Sequence, residues 1–168
     1  VFEFGSGFGY SAYWFLGGMA EDGEIVLTEI DAEELDAARE YLERGGYADR
    51  ARFEAGDAVE LVEGYEGPFD VALLDNEKRR YVEAFEAVRP KLPVGGLVVA
   101  DNAIEGPYEF GTLRRLTAAN GDDEQVDDPH ADAARGIAAY LEHVRSAAGF
   151  ETTLLPVGEG LAVTRRIE

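Results

Sequence analysis

Three observations predict an α/β fold built on a doubly wound, mostly parallel sheet. Strand-like and helix-like segments alternate along nearly the whole chain, which implies right-handed βαβ units. Two segments, Val71-Ala72-Leu73-Leu74 and Leu97-Val98-Val99-Ala100, are continuously apolar, as strands buried on both faces are. The first strand runs straight into a glycine-rich turn, Gly5-Ser6-Gly7-Phe8-Gly9, and then a helix. Such a turn sits where open α/β sheets bind ligands.

The elements follow in order. Val1–Phe4 is the first strand and Ser11–Met19 the helix after the turn, closed by Gly17-Gly18 and a Glu21-Asp22-Gly23 turn. Glu24–Glu29 is the second strand. Asp31 is an N-cap for a helix through Arg44, with Leu35, Ala38, Tyr41 and Leu42 on one face and Gly45-Gly46 at its end. Arg52–Ala55 is a short third strand and Ala58–Val62 a brief helical segment. Phe69–Leu74, entered through Gly67-Pro68, is the fourth strand. Lys78–Arg89 reads as one helix with Tyr81, Val82, Phe85 and Val88 as its buried stripe, broken by Pro90 and Pro93. Gly96–Ala100 is the fifth strand. Gly111–Ala119 and Ala131–Ala148 are helical, separated by a polar stretch from Asn120 to His130. Thr152–Leu155 and Gly160–Thr164, so close together, predict an antiparallel C-terminal hairpin at one sheet edge.

A length of 168 residues predicts one domain with a sizeable core. The sequence starts at Val1 inside what should be a central strand, which predicts a further segment before it. No apolar run approaches the ~20 residues that span a bilayer, and no signal peptide is visible. With no cysteine, disulfide frameworks and thiolate metal sites are excluded, and cytoplasmic residence is the default expectation. The 35 acidic residues outnumber the 15 basic ones and give a net charge of -20. The acids are dispersed rather than collected in a tail. This pattern predicts a halophilic protein whose self-repulsion is screened by molar salt. It also makes direct binding to a nucleic-acid backbone an unfavoured expectation.

The turn is the first chemical signal. A dinucleotide fingerprint needs G-x-G-x-x-G; Gly5 and Gly7 fit, but Tyr10 takes the third position. The pattern present is E-x-G-x-G-x-G from Glu3 to Gly9, which resembles motif I of S-adenosylmethionine-dependent methyltransferases. Glu3, Gly5, Ser6, Gly7, Gly9, Tyr10 and Ser11 are therefore candidate cofactor residues. Glu29, at the carboxyl end of the second strand, is placed to hold ribose hydroxyls. Gly56-Asp57-Ala58 follows the third strand and is read equally well as an adenine contact or as a helix cap at Asp57.

The most specific signal is a repeated form. Strand four ends in Asp75 and strand five in Asp101-Asn102, each directly after an apolar run. Neighbouring strands lie ~4.8 Å apart, so the two carboxylates would converge at the carboxyl edge. Two close carboxylates repel unless protonated or bridged by a cation. Asp75, Asp101 and the amide oxygen of Asn102 form a hard, oxygen-only set suited to Mg²⁺, or to Ca²⁺ or Mn²⁺. Lys78, at a helix start where the dipole disfavours a cation, is one of only two lysines in the chain, the other being Lys91. A bound cation beside it would disfavour its charged form and make it a candidate general base.

Together these residues resemble the cation-dependent O-methyltransferases, which include catechol and caffeoyl-CoA O-methyltransferases. The matching stretches are E-F-G-S-G-F-G-Y-S at 3–11, T-E-I-D at 28–31, G-D-A at 56–58, F-D-V-A-L-L-D-N-E-K-R-R-Y at 69–81, G-G-L-V-V-A-D-N at 95–102 and L-L-P-V-G-E-G-L-A-V at 154–163. The resemblance implies a Rossmann-like, seven-stranded methyltransferase sheet with its last strand antiparallel. It implies S-adenosylmethionine at the turn, Asp75 near the cofactor, metal on Asp75, Asp101 and Asn102, and Lys78 as the base. The acceptor it implies is a small catechol-like or vicinal-oxygen compound. It also implies N-terminal helices that cover the site and support a homodimer. One departure stands out: the family's R-x-F-N stretch reads Arg135-Gly136-Ile137-Ala138 here, without the Asn. Alternatives are methylation of a hydroxylated tRNA base, cofactor binding without turnover and, weakly, a dehydrogenase.

The charge argument carries its own test. The thermal unfolding midpoint should rise as KCl goes from about 0.1 to about 2 M. A flat or falling midpoint would contradict the halophilic expectation.

Overall fold

The computed structural model describes residues 1–118 and 128–168. Seven strands form one sheet in the order β3-β2-β1-β4-β5-β7-β6. They are β1 (Phe2–Phe4), β2 (Ile25–Glu29), β3 (Ala51–Ala55), β4 (Val71–Leu74), β5 (Leu97–Ala100), β6 (Phe150–Leu155) and β7 (Leu161–Arg166). The first five are parallel, and β7 runs antiparallel to both β5 and β6. The predicted C-terminal hairpin is therefore present, with β7 slotted against β5 and β6 as the sheet edge. Reversal of order after β1 puts the carboxyl ends of β1 and β4 at a topological switch point, where such sheets bind ligands.

Side-chain alternation divides the core into two layers. Phe2, Phe4, Val26, Ala72 and Leu74 point to one face, where helices α3 (Ala58–Leu61), α4 (Tyr81–Val88), α5 (Phe110–Thr117) and α6 (Ala131–Arg145) cover them. Ile25 and Leu27 point to the other, under α1 (Tyr10–Gly18) and α2 (Ala32–Gly45). Burying each such side chain contributes about 1.5–3 kcal/mol. Strand β1 and all of β2 but its last residue are buried on both faces, whereas Val71, Leu97 and Val99 of the two unbroken apolar runs remain partly exposed on the face away from α3–α6, so burial on both faces holds only in part for β4 and β5.

Local signals explain most boundaries. Asp31 caps α2 by accepting from the Glu33 amide at 2.9 Å, and Gly46 closes it in the left-handed conformation. In α1 both Gly17 and Gly18 complete the last turn, and Met19 ends it in an extended conformation. The helix expected over Lys78–Arg89 divides instead. Residues Lys78–Arg80 form a 3-10 turn, α4 follows, and a second 3-10 turn spans Arg89–Lys91. Helix α6 also ends at Arg145, earlier than expected, and α5 at Thr117. The polar stretch from Asn120, and Ala119 before it, lie outside the described residues up to position 127.

The divided helix has a packing counterpart. Gly136 of α6 lies so close to the 3-10 turn that an added Cβ would stand 2.4 Å from the Lys78 carbonyl oxygen and 2.7 Å from Arg79 Cα. Helix and turn approach at backbone distance, and only glycine permits this. Gly111, in α5, has nothing within 4 Å of an added Cβ.

These two glycines give opposite expectations. Gly111→Ala should stabilise by roughly 0.5–1 kcal/mol through helix propensity. Gly136→Ala should destabilise by about 1–3 kcal/mol because α6 must shift off the turn. Urea unfolding midpoints measure both, and equal shifts would contradict the close approach.

Candidate functional site

The glycine turn owes its shape to three demands. Gly5 has φ 80° and passes so close to β4 that a Cβ would meet the Asp75 carbonyl oxygen at 2.9 Å. Gly9, at φ 82°, packs against Ala38 of α2, where a Cβ would come within 3.0 Å. Gly7, at φ 48°, faces the open side, with only a Glu34 oxygen within 4 Å of that position. Gly5 and Gly9 therefore hold the turn between its neighbours, and Gly7 leaves its outer face bare.

Glu29 locks this turn to β2. Its Oε2 accepts from the Gly7 amide at 3.0 Å, and its Oε1 accepts from the Ile30 and Asp31 amides at 2.8 and 3.1 Å. The carboxylate is thereby fixed at the mouth of two adjoining cavities. One, of about 270 Å³, is lined by Gly5, Glu29, Gly56, Asp57, Ala58 and Arg80 among others. The second, of about 430 Å³, is lined by Ser6, Gly7, Phe8, Tyr10, Ser11 and Asp101 among others. Asp75 and Gly5 border both.

Asp57 settles partly on the capping side of its two readings. Its Oδ1 accepts from the Val59 amide at 2.9 Å, at the start of α3, and its Oδ2 pairs with Arg80. Burial pushes this carboxyl up, but the Arg80 and Val59 hydrogen bonds outweigh it and hold it below its ordinary range. Arg80 was not singled out in the sequence. It sits two residues past Lys78 and becomes a cavity wall only because the 3-10 turn swings it toward Asp57.

Glu3 is fully buried and lines neither cavity. Its Oε1 accepts from the Ser11 hydroxyl, so it acts from beneath the turn on the first turn of α1. Its Oε2 is buried without a partner. Burial, and then the charges of Asp75 and Glu29, push its pKa up to about 8 against the pull of the Ser11 bond.

Asp75 and Asp101 leave adjacent parallel strands at equivalent positions, one residue past the Leu74–Ala100 pair. The Asp101 amide donates to the Leu74 carbonyl at 3.0 Å. Burial raises the pKa of Asp75, the charges of Asp101 and Glu159 raise it further, and Lys78 offsets part of this. Asn102 follows in a left-handed conformation, φ 55°. Its side-chain nitrogen donates to Glu159, in the turn between β6 and β7.

Lys78 curls back toward the strand ends. Its Nζ donates to Asp75 Oδ1 at 2.7 Å and to the Tyr81 hydroxyl at 2.8 Å, and its side chain is only 12% exposed. The Tyr81 hydroxyl in turn donates to the Leu74 carbonyl at 2.8 Å. This buried tyrosine is held neutral, its pKa raised well above the ordinary value by burial and by the two aspartates. Among the described residues, no group of three or more His, Cys, Asp or Glu side chains forms a metal site. The candidate donor set is thus two carboxylates and one amide oxygen.

A family model described as O-methyltransferase matches residues 1–167. The chain belongs to the O-methyltransferase family. It is 33% identical over 109 residues to a catechol O-methyltransferase of Niastella koreensis, covering 62% of this chain and 49% of the relative. A caffeoyl-CoA O-methyltransferase of Stellaria longipes is 26% identical over 165 residues, covering 95% of this chain and 64% of the relative. The chain thus spans half to two thirds of the length of these relatives. The solved structure of cofactor-bound Rv0187 from MTB matches with a TM-score of 0.82 at 27% identity, over 99% of this chain and 72% of that one. TomG from Streptomyces achromogenes, solved with SAM, shares the fold with a TM-score of 0.83 at 22% identity, over 99% of this chain and 72% of TomG.

Glu3 yields a pH test. Its folded pKa of about 8 exceeds its ordinary 4.5, so the folded state binds the proton more tightly. That contribution to stability is complete below about pH 4.5 and is lost as pH rises through about 8. Between these limits the wild-type protein should lose up to about 1.4 kcal/mol per pH unit relative to Glu3→Gln. Denaturant midpoints for both proteins between pH 5 and pH 9 measure this, and parallel curves would refute it.

Proposed function

We propose that this chain binds S-adenosylmethionine across the two cavities and transfers its methyl group to a hydroxyl oxygen of a small acceptor held at a divalent cation. The observation that carries this reading is the register of β4 and β5, which brings Asp75 and Asp101 out side by side next to the switch point. Family membership and the cofactor-bound neighbour support the methyl donor.

The residues fit both groups. Glu29 stands between the cavities with both oxygens already oriented by backbone amides, ready to accept from ribose hydroxyls. The smaller cavity, with Gly56–Ala58 on its wall, takes the adenine. Gly5–Gly9, Tyr10 and Ser11 border the larger cavity, which takes the methionine part and the acceptor. Glu3 supports this wall from below through Ser11.

For the cation, the fit lies in negative charge that Lys78 only partly compensates. Asp75 is pushed toward protonation by burial, Asp101 and Glu159, and a cation would relieve that stress. Two carboxylates and an amide oxygen suit Mg²⁺, Mn²⁺ or Ca²⁺ and leave positions open. When bound, S-adenosylmethionine supplies an activated methyl electrophile, and the divalent cation supplies acidity to a coordinated hydroxyl. Asp75, Asp101 and Asn102 then fix where that hydroxyl lies, which is catalysis by proximity. Lys78 Nζ, held by Asp75 and Tyr81, takes the proton when it is a neutral amine, or as an ammonium stabilises the developing negative oxygen. An acceptor with two neighbouring oxygens, as in a catechol, fits the open positions.

Calorimetric titration with S-adenosylmethionine and a methyl-transfer screen on catechols test the reading. Turnover should require Mg²⁺ and vanish with chelator or in Asp101→Ala. Lys78→Met should lower kcat by about 10²–10⁴ while cofactor affinity holds. Turnover indifferent to chelator and to Asp101→Ala would overturn the cation-dependent mechanism; absence of cofactor binding would overturn the whole reading.

A further inference from the structure

The loop after β5 and the turn between β6 and β7 are sewn together. The Ile104 and Glu105 amides donate to the Glu159 carbonyl at 3.1 and 2.8 Å, and the Ala103 amide donates to the Gly160 carbonyl at 2.8 Å. Gly160, at φ 91°, lies so close to Ile104 that a Cβ would stand 2.4 Å from its Cγ1. Asn102 is the one non-glycine residue with positive φ among the described residues. Asparagine tolerates that conformation better than most side chains, though it still costs energy. Three contacts hold it there. Its amide donates to Asp101 Oδ1 at 2.7 Å, its carbonyl accepts from the Tyr108 hydroxyl, and its side-chain nitrogen donates to Glu159 Oε2.

The last contact has a direction. An ionised carboxylate only accepts, so only the NH₂ branch of the Asn102 amide can face Glu159. The oxygen branch is then forced to the opposite side. Asn102 directly follows Asp101, whose Oδ1 accepts its backbone amide, so the side chain that Glu159 holds adjoins the aspartate pair. Without this partner the amide is free to turn over and offer NH₂ to a cation.

We propose that Glu159 is a positioning residue for the cation site: it fixes the Asn102 amide so that its oxygen serves as a ligand, and so makes the β6–β7 turn part of that site. This inference rests on the cation reading above. Partners that orient a metal ligand typically account for about 10- to 100-fold in metal affinity.

The test is a double-mutant cycle read by Mn²⁺ calorimetry on the apoprotein, with Asp101→Ala as the baseline for diffuse binding to the acidic surface. Glu159→Ala should weaken Mn²⁺ binding by about 10- to 100-fold. In an Asn102→Asp background either side-chain oxygen can serve as ligand, so the added Glu159→Ala should cost nothing. An equal cost in both backgrounds would show that Glu159 acts through its charge or as a ligand itself, and would overturn the proposal. Wild-type affinity in Glu159→Ala would overturn it alone. Wild-type binding no tighter than in Asp101→Ala would overturn the cation reading and this inference together. Unchanged S-adenosylhomocysteine affinity in Glu159→Ala, and an unchanged circular dichroism spectrum in every variant, confirm that the fold is intact.

Discussion

Everything at the carboxyl edge depends on one constraint, the parallel register of β4 and β5. Leu74 pairs with Ala100, the Asp101 amide donates to the Leu74 carbonyl, and the next residue on each strand is an aspartate. A slip of one residue would turn one of these carboxylates to the opposite face. The register is secured by burial: Ala72, Leu74, Val98 and Ala100 are fully enclosed on the α4–α6 face. The same hydrophobic pattern that folds the sheet therefore presses two like charges together. The fold tolerates this because Lys78 answers one of them and the cleft remains open to water.

Lys78 is held from three directions. Asp75 and the Tyr81 hydroxyl accept hydrogen bonds from its Nζ, Tyr81 is tied to the end of β4, and Gly136 brings α6 onto its backbone. The 3-10 turn that replaces the first turn of the expected helix makes this possible. It carries Lys78 toward the strand ends and Arg80 toward Asp57, so neighbouring residues serve the two halves of the cleft. The apparent misfit of a lysine at a helix start has a simple resolution, since its charge meets an aspartate and a phenol hydroxyl rather than the helix dipole alone.

Much of this was legible in the sequence. The unbroken apolar runs announced central parallel strands, the glycine turn marked the switch point, and Asp31 named its own helix start. The recurrence of an aspartate after two such runs foretold their juxtaposition, because neighbouring parallel strands of similar length end together. What the sequence could not show was tertiary in origin. Glu3 looked like a wall of the cofactor site, but alternation along β1 turns it under α1, where it meets Ser11. Arg80 and Glu159 gained their contacts only through the 3-10 turn and the hairpin, and no periodicity marks either. The stretch Arg135–Ala138 reads as a family motif that lacks its asparagine at position 138, and nothing in that reading marks Gly136, whose lack of a side chain is what lets α6 approach Lys78.

The central claim is that Asp75, Asp101 and Asn102 together hold a divalent cation beside the methyl donor. Anomalous diffraction at the manganese edge, from crystals grown with Mn²⁺ and S-adenosylhomocysteine, addresses it most directly. A single strong peak is expected between the ends of β4 and β5, with oxygens of these three residues at about 2.0–2.6 Å. An ordered cofactor with no peak there, or a peak held by other residues, would contradict the claim.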